Sequence, residues 1–366
     1  MTNYQSLGIR PLINAYATVT KYGGSIMPKE VVQAMNDAAA SFVDLAELQR
    51  KVGERIAELT NNEAAYVTSG AAAGVMLSAA ACVIQNHPKH SHSFPQIANL
   101  KNEVIVQGMH RNGYDFGIQQ VGMKFVEVDS SPTALQQAIT AKTACIFWFQ
   151  GAMNAPDEIP LADVIDIAKG YPIPVIVDAA AQLPPVDNLW HFTQMGAALA
   201  LFSGGKDLRG PQSTGLILGR RDLIESIRPI CNPHHGLGRA LKVGKEELMG
   251  LLAAVERYLS LDHVARADYC ESTVRLFCDA LNRLEGVSAE RAFPNEAGQP
   301  LPWCRVTIDI DRLGFTCDAL VQAFLDFDPA IAVSPHSQSQ FHLNPMTLHP
   351  GEEKVVLDAC LALLRR

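Results

Sequence analysis

Three observations predict an α/β fold with a mostly parallel sheet covered on both faces by helices and a smaller α/β unit at the C-terminus. Short apolar runs of strand length alternate with helix-length segments from residue 64 to residue 218. A long amphipathic segment, Lys245 to Tyr269, then separates this region from a second, shorter strand-and-helix pattern. The composition, 366 residues with 48% hydrophobic and 19% charged, is that of an ordered chain long enough to bury a large core.

The first stretch, through Gly23-Gly24, has mixed polarity and several Gly and Tyr residues, and reads as an arm or loop. Pro28 to Leu59 reads as helical, with Pro28 suited to a first turn and apolar residues recurring at Val31, Val32, Met35, Ala39, Phe42 and Val43. Strands are expected at Ala64–Thr68, Val104–Val106, Lys124–Val128, Ala144–Phe149, Val175–Val177, Ala198–Phe202 and Gly215–Leu218. Helices are expected at Ala71–Ile84, Thr133–Thr140 and Leu161–Lys169. Beyond Tyr269, strands near Arg305–Ile310 and Ala330–Val333 and helices at Cys317–Phe324 and Glu352–Leu364 complete the small unit. The expected boundaries are 1–44 for the arm and first helix, 45–244 for the large domain, 245–269 for a linker helix and 270–366 for the small domain.

Charge and cysteine usage exclude several classes. A net charge of −8 with no basic tail argues against binding to nucleic acid or to an acidic membrane. Eight cysteines stand singly, without a Cys-x-x-Cys pair, which argues against a disulfide framework or a zinc knuckle. The N-terminus lacks a signal-peptide pattern and no apolar run is long enough to span a bilayer, so a reduced, cytoplasmic protein is expected. His87, His90 and His92 lie close together in a Pro-flanked loop with no convincing ligand spacing, and no metal is expected.

The candidate chemistry centres on Lys206, in Phe202-Ser203-Gly204-Gly205-Lys206, 28 residues after Asp178 in Val175-Ile176-Val177-Asp178. A strand ending in a carboxylate, followed by a Gly-flanked lysine, supplies what pyridoxal 5'-phosphate (PLP) needs: an amine for a Schiff base and an anion beside the pyridine nitrogen. Each residue alone has an ordinary reading, as a strand-end Asp or a lysine in a surface turn; their order and spacing carry the inference. Thr68-Ser69-Gly70-Ala71 offers a strand-to-helix turn whose free amides and dipole suit a phosphate, although the same residues suit an Ala-rich helix behind an N-cap Ser69. Ser203 is positioned to add a hydroxyl to that phosphate, and Gln182 to reach the phenolic oxygen of the cofactor. His110 is a candidate to stack on the ring or to move a proton, and Arg111 to bind a substrate anion.

The chain resembles the fold-type I PLP enzymes related to bacterial selenocysteine synthase, and within them the D-glucosaminate-6-phosphate ammonia-lyase-like group. The resemblance is carried by Ile13-Asn14-Ala15, Gly23-Gly24-Ser25, Val67-Thr68-Ser69-Gly70-Ala71, His110-Arg111-Asn112, Val177-Asp178-Ala179-Ala180-Ala181-Gln182-Leu183-Pro184, Ser203-Gly204-Gly205-Lys206 and Gly210-Pro211-Gln212. Leu343-Asn344-Pro345-Met346-Thr347-Leu348 and Gly351-Glu352-Glu353 extend it to the C-terminal region. It implies an aspartate aminotransferase-like large domain, Lys206 as the Schiff-base lysine, Asp178 as the ring-nitrogen partner, and a homodimer or larger assembly with shared active sites. Gly238-Arg239-Ala240-Leu241-Lys242 resembles the Arg-Ala-Leu-Arg stretch of selenocysteine synthases, which implies that Arg239 and Lys242 reach a phosphate in the neighbouring subunit; composition alone reads them as a solvated basic helix start.

Two departures matter. Selenocysteine synthases carry an additional N-terminal domain for tRNA, whereas here the similar region begins almost at residue 1, and this argues with the negative charge against a tRNA substrate. Many relatives also carry an arginine in the segment matching Ala330-Ile331-Ala332-Val333-Ser334, where this chain has none, leaving Arg111, Arg305 and His342 as candidate carboxylate anchors. The activity implied is a lyase that removes water and ammonia from a hydroxylated amino acid or a phosphorylated amino sugar acid, a small-molecule substrate, to leave a 2-keto acid. A racemase or epimerase needs the same lysine and ring partner, and a PLP-binding protein without turnover is the alternative outside catalysis. A nucleotide-binding reading of Ser69-Gly70 lacks the Gly-x-x-x-x-Gly-Lys signature.

Overall fold

The structure is a computed structural model that describes residues 3–85, 88–151 and 157–365. Twelve strands are named here in chain order among the described residues: β1 Leu12–Ala15, β2 Ala64–Thr68, β3 Glu103–Gln107, β4 Lys124–Val128, β5 Thr143–Phe149, β6 Val175–Asp178, β7 Leu199–Ser203, β8 Gly215–Gly219, β9 Val287–Ala292, β10 Trp303–Ile308, β11 Ala330–Ser337 and β12 Gln340–Leu343. The chain divides into two compact units, Met27–Leu261 and Met1–Ile26 with Asp262–Arg366.

The larger unit is built on a seven-stranded sheet in the order β2-β8-β7-β6-β5-β3-β4. Strands β7, β6, β5, β3 and β4 pair parallel, while β8 is antiparallel to both β2 and β7. Six strands therefore run the same way and only β8 opposes them. Continuous apolar strands such as Ala144-Cys145-Ile146-Phe147-Trp148-Phe149, buried throughout, require cover on both faces. One face packs Val67, Ile146, Trp148, Val177 and Phe202 beneath the helices Leu45–Leu59, Leu161–Lys169 and Lys245–Leu259. The other packs Tyr66, Val104, Phe147, Ile176 and Leu201 beneath Ala71–Ile84 and Arg221–Ile227. In such sheets ligands bind beyond the carboxyl ends of the strands.

The smaller unit has a five-stranded sheet in the order β1-β11-β12-β10-β9, antiparallel except for the β1–β11 pair. One face packs Cys304, Val306, Val333 and Phe341 against the helices His263–Leu281, Cys317–Asp326 and Glu352–Leu364.

The structure corrects four expectations. The segment 28–59 is two helices, Lys29–Ala39 and Leu45–Leu59, because Asp44 caps the second by accepting from the Glu47 amide, which leaves Phe42 at 103% exposure outside either helical stripe. The segment 245–269 is also two helices, Lys245–Leu259 and His263–Leu281, the second capped by Asp262 through the Ala265 amide; the turn between them lies where the two compact units divide. The opening stretch is not only a loop, since Leu12–Ala15 adds a strand to the small unit beside Ala330–Val333. Gly238 to Lys242 forms turns ahead of the helix that starts at Lys245, not the start of a basic helix.

Candidate active site

The common direction of six strands brings the ends of β2, β3, β6 and β7 to one edge of the large sheet, and each carries a residue singled out in the sequence. Asp178 ends β6, where it pairs with Phe149 of β5 and Leu201 of β7. It is 9% exposed, and its Oδ1 accepts from the Ala180 amide at 3.0 Å. Burial raises its pKa to about 6, against the lowering by the Ala180 N–H and by the charge of Lys206. The electrostatic influence of Lys206 on Asp178 places the two groups in one neighbourhood.

Lys206 is half-buried on a turn that follows β7. Glycine is needed on both sides of that turn. A Cβ at Gly204 would lie 2.0 Å from Thr214 Oγ1, and one at Gly205 would lie 2.6 Å from Gln212 Cα. The Gly204 amide donates to Thr214 O and the Gly210 amide to Gly204 O, each at 2.8 Å, while the Arg209 amide donates to Lys206 O at 3.0 Å. Arg209 itself sits in the left-handed region at φ 56°.

The turn between β2 and the helix Ala71–Ile84 abuts the same edge. Thr68 and Ser203 both pair with Gly215, the first residue of β8, from its two sides. A Cβ on Gly215 would lie 2.4 Å from the carbonyl carbon of Gly70 and 2.6 Å from the Ala71 nitrogen, so only glycine lets the turn come this close. The N-cap is Gly70, at φ 88° and with no side-chain cap, in place of Ser69. The first turn closes with the Gly74 amide on Gly70 O, and the amides of 71–73 precede that bond.

His110 is buried beyond β3. Its Nε2 lies 2.7 Å from Glu158 Oε2, its ring meets Trp148 of β5 edge-on at 4.6 Å, and its buried Nδ1 has no hydrogen-bond partner among the described residues. Gln182 is buried, with Nε2 donating to Gln150 O at 3.4 Å; the Gln150 amide donates to Asp178 O at 2.9 Å. Sequence reasoning missed Glu158, Trp148 and Gln150, since Glu158 is 48 residues from His110 and Gln150 32 from Gln182.

The remaining candidates have surroundings of their own. Arg111 is held by Asp115 and Glu127 and lies 3.9 Å from the Phe125 ring, so its guanidinium is already engaged. Arg239 and Lys242 are exposed in the same unit, Arg239 donating to Asn232 Oδ1 at 3.2 Å. Arg305 and His342 belong to the smaller unit, where they pair across β10 and β12. Arg305 donates to Glu290 Oε1 at 3.0 Å. The His342 ring meets the Trp303 ring at a tilt of 56° with centroids 3.9 Å apart, and burial with the nearby His336 and Arg305 pushes its pKa down to about 4, so it is neutral near pH 7. His87 lies outside the described residues; His90 and His92 are exposed.

The cluster at the large-sheet edge fits PLP. It offers an uncapped helix start kept clear by Gly215, a buried carboxylate at a strand end, a lysine within its electrostatic reach and a buried imidazole nitrogen left without a partner. Comparison with known proteins agrees. The family model described as L-seryl-tRNA selenium transferase (SelA) matches residues 12–292. A 5'-C-glycyluridine monooxygenase-decarboxylase of Streptomyces sp is 31% identical over 96% of this chain and 90% of its own length. A D-glucosaminate-6-phosphate ammonia lyase of Salmonella typhimurium (strain 14028s / SGSC 2262) is 29% identical over 97% of this chain and 95% of its own. A solved structure of a D-glucosaminate-6-phosphate ammonia-lyase superposes with a TM-score of 0.83 at 28% identity, covering 100% of this chain and 99% of that one. The architecture is the fold-type I, aspartate aminotransferase-like arrangement.

Proposed function

Since the chain belongs to the L-seryl-tRNA selenium transferase family, we propose that it is a PLP-dependent ammonia-lyase acting on a hydroxylated amino acid or a phosphorylated amino sugar acid. The observation that carries this reading is the full-length match to D-glucosaminate-6-phosphate ammonia lyase in both sequence and fold. PLP, when bound, supplies an electron sink for negative charge at the substrate α-carbon.

The chain's own residues supply the rest. Lys206 would hold the cofactor through its amine, and the same amine would serve as the base for the substrate α-proton. Asp178, fixed by the Ala180 amide, keeps the ring nitrogen protonated. The amides of Ala71 to Ala73 and the Ser203 hydroxyl hold the phosphate, and Gln182 meets the phenolic oxygen. With Nε2 donating to Glu158, His110 presents Nδ1 as an acceptor. Loss of the β-hydroxyl as water, with a proton donated to it, leaves an enamine. Hydrolysis of that enamine restores the water and releases ammonia, so the net products are a 2-keto acid and ammonia. Residues 45–244 are read as the cofactor-binding domain, and a cytoplasmic homodimer or larger assembly, with Arg239 and Lys242 serving the neighbouring subunit, completes the proposal. The substrate-carboxylate anchor is sought among Arg111, Arg305 and His342.

A second reading, decarboxylating oxygenation, is favoured by the 31% identity to the Streptomyces enzyme. The test is incubation of PLP-loaded protein with D-glucosaminate 6-phosphate and a panel of hydroxylated amino acids, scoring ammonia, keto acid, carbon dioxide and dissolved oxygen. Equal ammonia and keto acid without oxygen uptake, abolished in Lys206→Ala, is expected. Carbon dioxide with oxygen consumption would establish the second reading instead, and an inverted isomer without ammonia would make the protein a racemase.

A further inference from the structure

The residue after Lys206 is a buried acid. Asp207 is 3% exposed, and Tyr258, with no exposed surface at all, donates its hydroxyl to Asp207 Oδ2 at 2.7 Å. Tyr258 comes from the last turn of the helix Lys245–Leu259, 51 residues along the chain, and Leu251 and Ala254 of the same helix lie against Gly204 and Gly210 of the lysine turn. A hydrogen bond to an ionised acceptor is among the stronger ones available, and a buried carboxylate left short of a donor is costly.

The turn itself is crowded and strained. Gly204 and Gly205 have no room for a Cβ, one at Gly210 would be tight against Gly204 O at 3.0 Å, and Arg209 is held in a left-handed conformation that a side chain disfavours. Such conformations persist only where the surroundings over-determine them. On β7's side the turn is secured by Gly204, Gly210 and Thr214; on the helix side the Asp207–Tyr258 bond performs that task.

We propose that Asp207 and Tyr258 are a positioning pair that clamps the Lys206 turn between β7 and the helix Lys245–Leu259 and thereby sets the orientation and local field of the lysine nitrogen. This rests on the reading of Lys206 as the cofactor lysine. Charges that bear on this neighbourhood include Asp178, on which Lys206 acts from the turn, and Arg209 on the turn itself.

The pair makes a prediction of sign. Removing the Tyr258 hydroxyl leaves the Asp207 carboxylate less neutralised, and a bare anion favours the protonated form of a nearby imine. Removing the carboxylate charge does the reverse. The experiment loads wild type, Tyr258→Phe and Asp207→Asn with PLP, follows the visible absorbance against pH, measures PLP stoichiometry and melting temperature, and locates the borohydride-reduced adduct by mass spectrometry. Expected are full PLP occupancy in all three, a titration midpoint raised by about half a pH unit or more in Tyr258→Phe, roughly a threefold change in the equilibrium, and a lowered midpoint in Asp207→Asn. Midpoints equal to wild type in both variants overturn the proposal. So does loss of PLP and melting temperature with the midpoint of the remaining holoenzyme unmoved, which is what a structural bond alone would give. Absence of a Lys206 adduct in the wild type overturns the underlying reading as well, so the two failures are told apart.

Discussion

A carboxylate at the end of a buried strand, accepting one backbone N–H, is held at a pKa of about 6 because water is excluded, and in the unfolded chain the same group returns to 3.8. Asp178 therefore binds its proton more tightly in the folded state. Its contribution to stability is fully present below pH 4 and is lost as the pH rises through 6, a difference of about 3 kcal/mol in order of magnitude. Asp178→Asn keeps an acceptor for the Ala180 amide while removing the charge. The variant apoprotein should be more stable than wild type at pH 8, by up to about 3 kcal/mol, with the difference vanishing below pH 4. Urea unfolding at the two pH values checks this, and an equal gap at both would refute it. On the proposed reading, the protonated ring nitrogen of PLP is the cationic partner that offsets this cost, and PLP should then protect wild type against urea at pH 8 more than it protects Asp178→Asn.

At the scale of elements, the cradle depends on a strand start touching a helix start. Gly215 opens β8 between Thr68 and Ser203, and a methyl group there would press on the backbone of Gly70 and Ala71, which cannot give way as a flexible side chain would. Gly215→Ala should lower stability by roughly 1–3 kcal/mol and weaken PLP binding at least tenfold, while Gly113→Ala, with open space around its Cβ, should do neither. A fluorescence titration with PLP separates the two. Several elements were legible in the sequence: β2 and β4, short apolar-rich runs of the large sheet, match at both ends, and Leu161–Lys169 in the larger unit and Glu352–Leu364 in the smaller match as helices. β1 was not legible, because four residues with one Asn show no alternation and their partner, Ala330–Val333, lies over 300 residues away. β9, Val-Ser-Ala-Glu-Arg-Ala, has only two buried positions, and β12 is four residues long. Helical spacing that ran on through Phe42 hid the break that Asp44 makes, and the cap signal at Asp262 was hidden in the same way. In the candidate site, Lys206 and Asp178 were singled out because the proposed cofactor's chemistry demands an amine and a carboxylate, and the structure puts Asp178 at the end of β6 and Lys206 on the turn after β7. Glu158 and Tyr258 meet His110 and Asp207 through contacts across the fold, and no local pattern announces them.

Over the whole molecule, charge bears on which of the family's ligands the proposed function would favour. Thirty Lys and Arg against 38 Asp and Glu leave −8, and many cations are already committed: Arg111 to Asp115 and Glu127, Arg55 to Glu58 and Glu256, Arg291 to Glu271. Each phosphate contact to a nucleic acid requires a cation that displaces a counterion, and binding weakens steeply with salt in proportion to their number. A net negative charge disfavours a polyanion over a distance of about 8 Å at physiological ionic strength, whereas a single phosphate on a small substrate or on PLP needs only a local cluster of amides and one or two side chains. The family name attaches to a tRNA substrate, so the contrast can be measured directly. Seryl-tRNA titrated against the protein at 150 mM salt should produce no mobility shift at micromolar concentrations, while PLP and D-glucosaminate 6-phosphate should bind with little change between 50 and 200 mM salt. A tRNA complex whose affinity falls steeply over that salt range would instead require a phosphate-binding face assembled from Arg239, Lys242 and their counterparts in a second copy, and neutralising both residues would then abolish it.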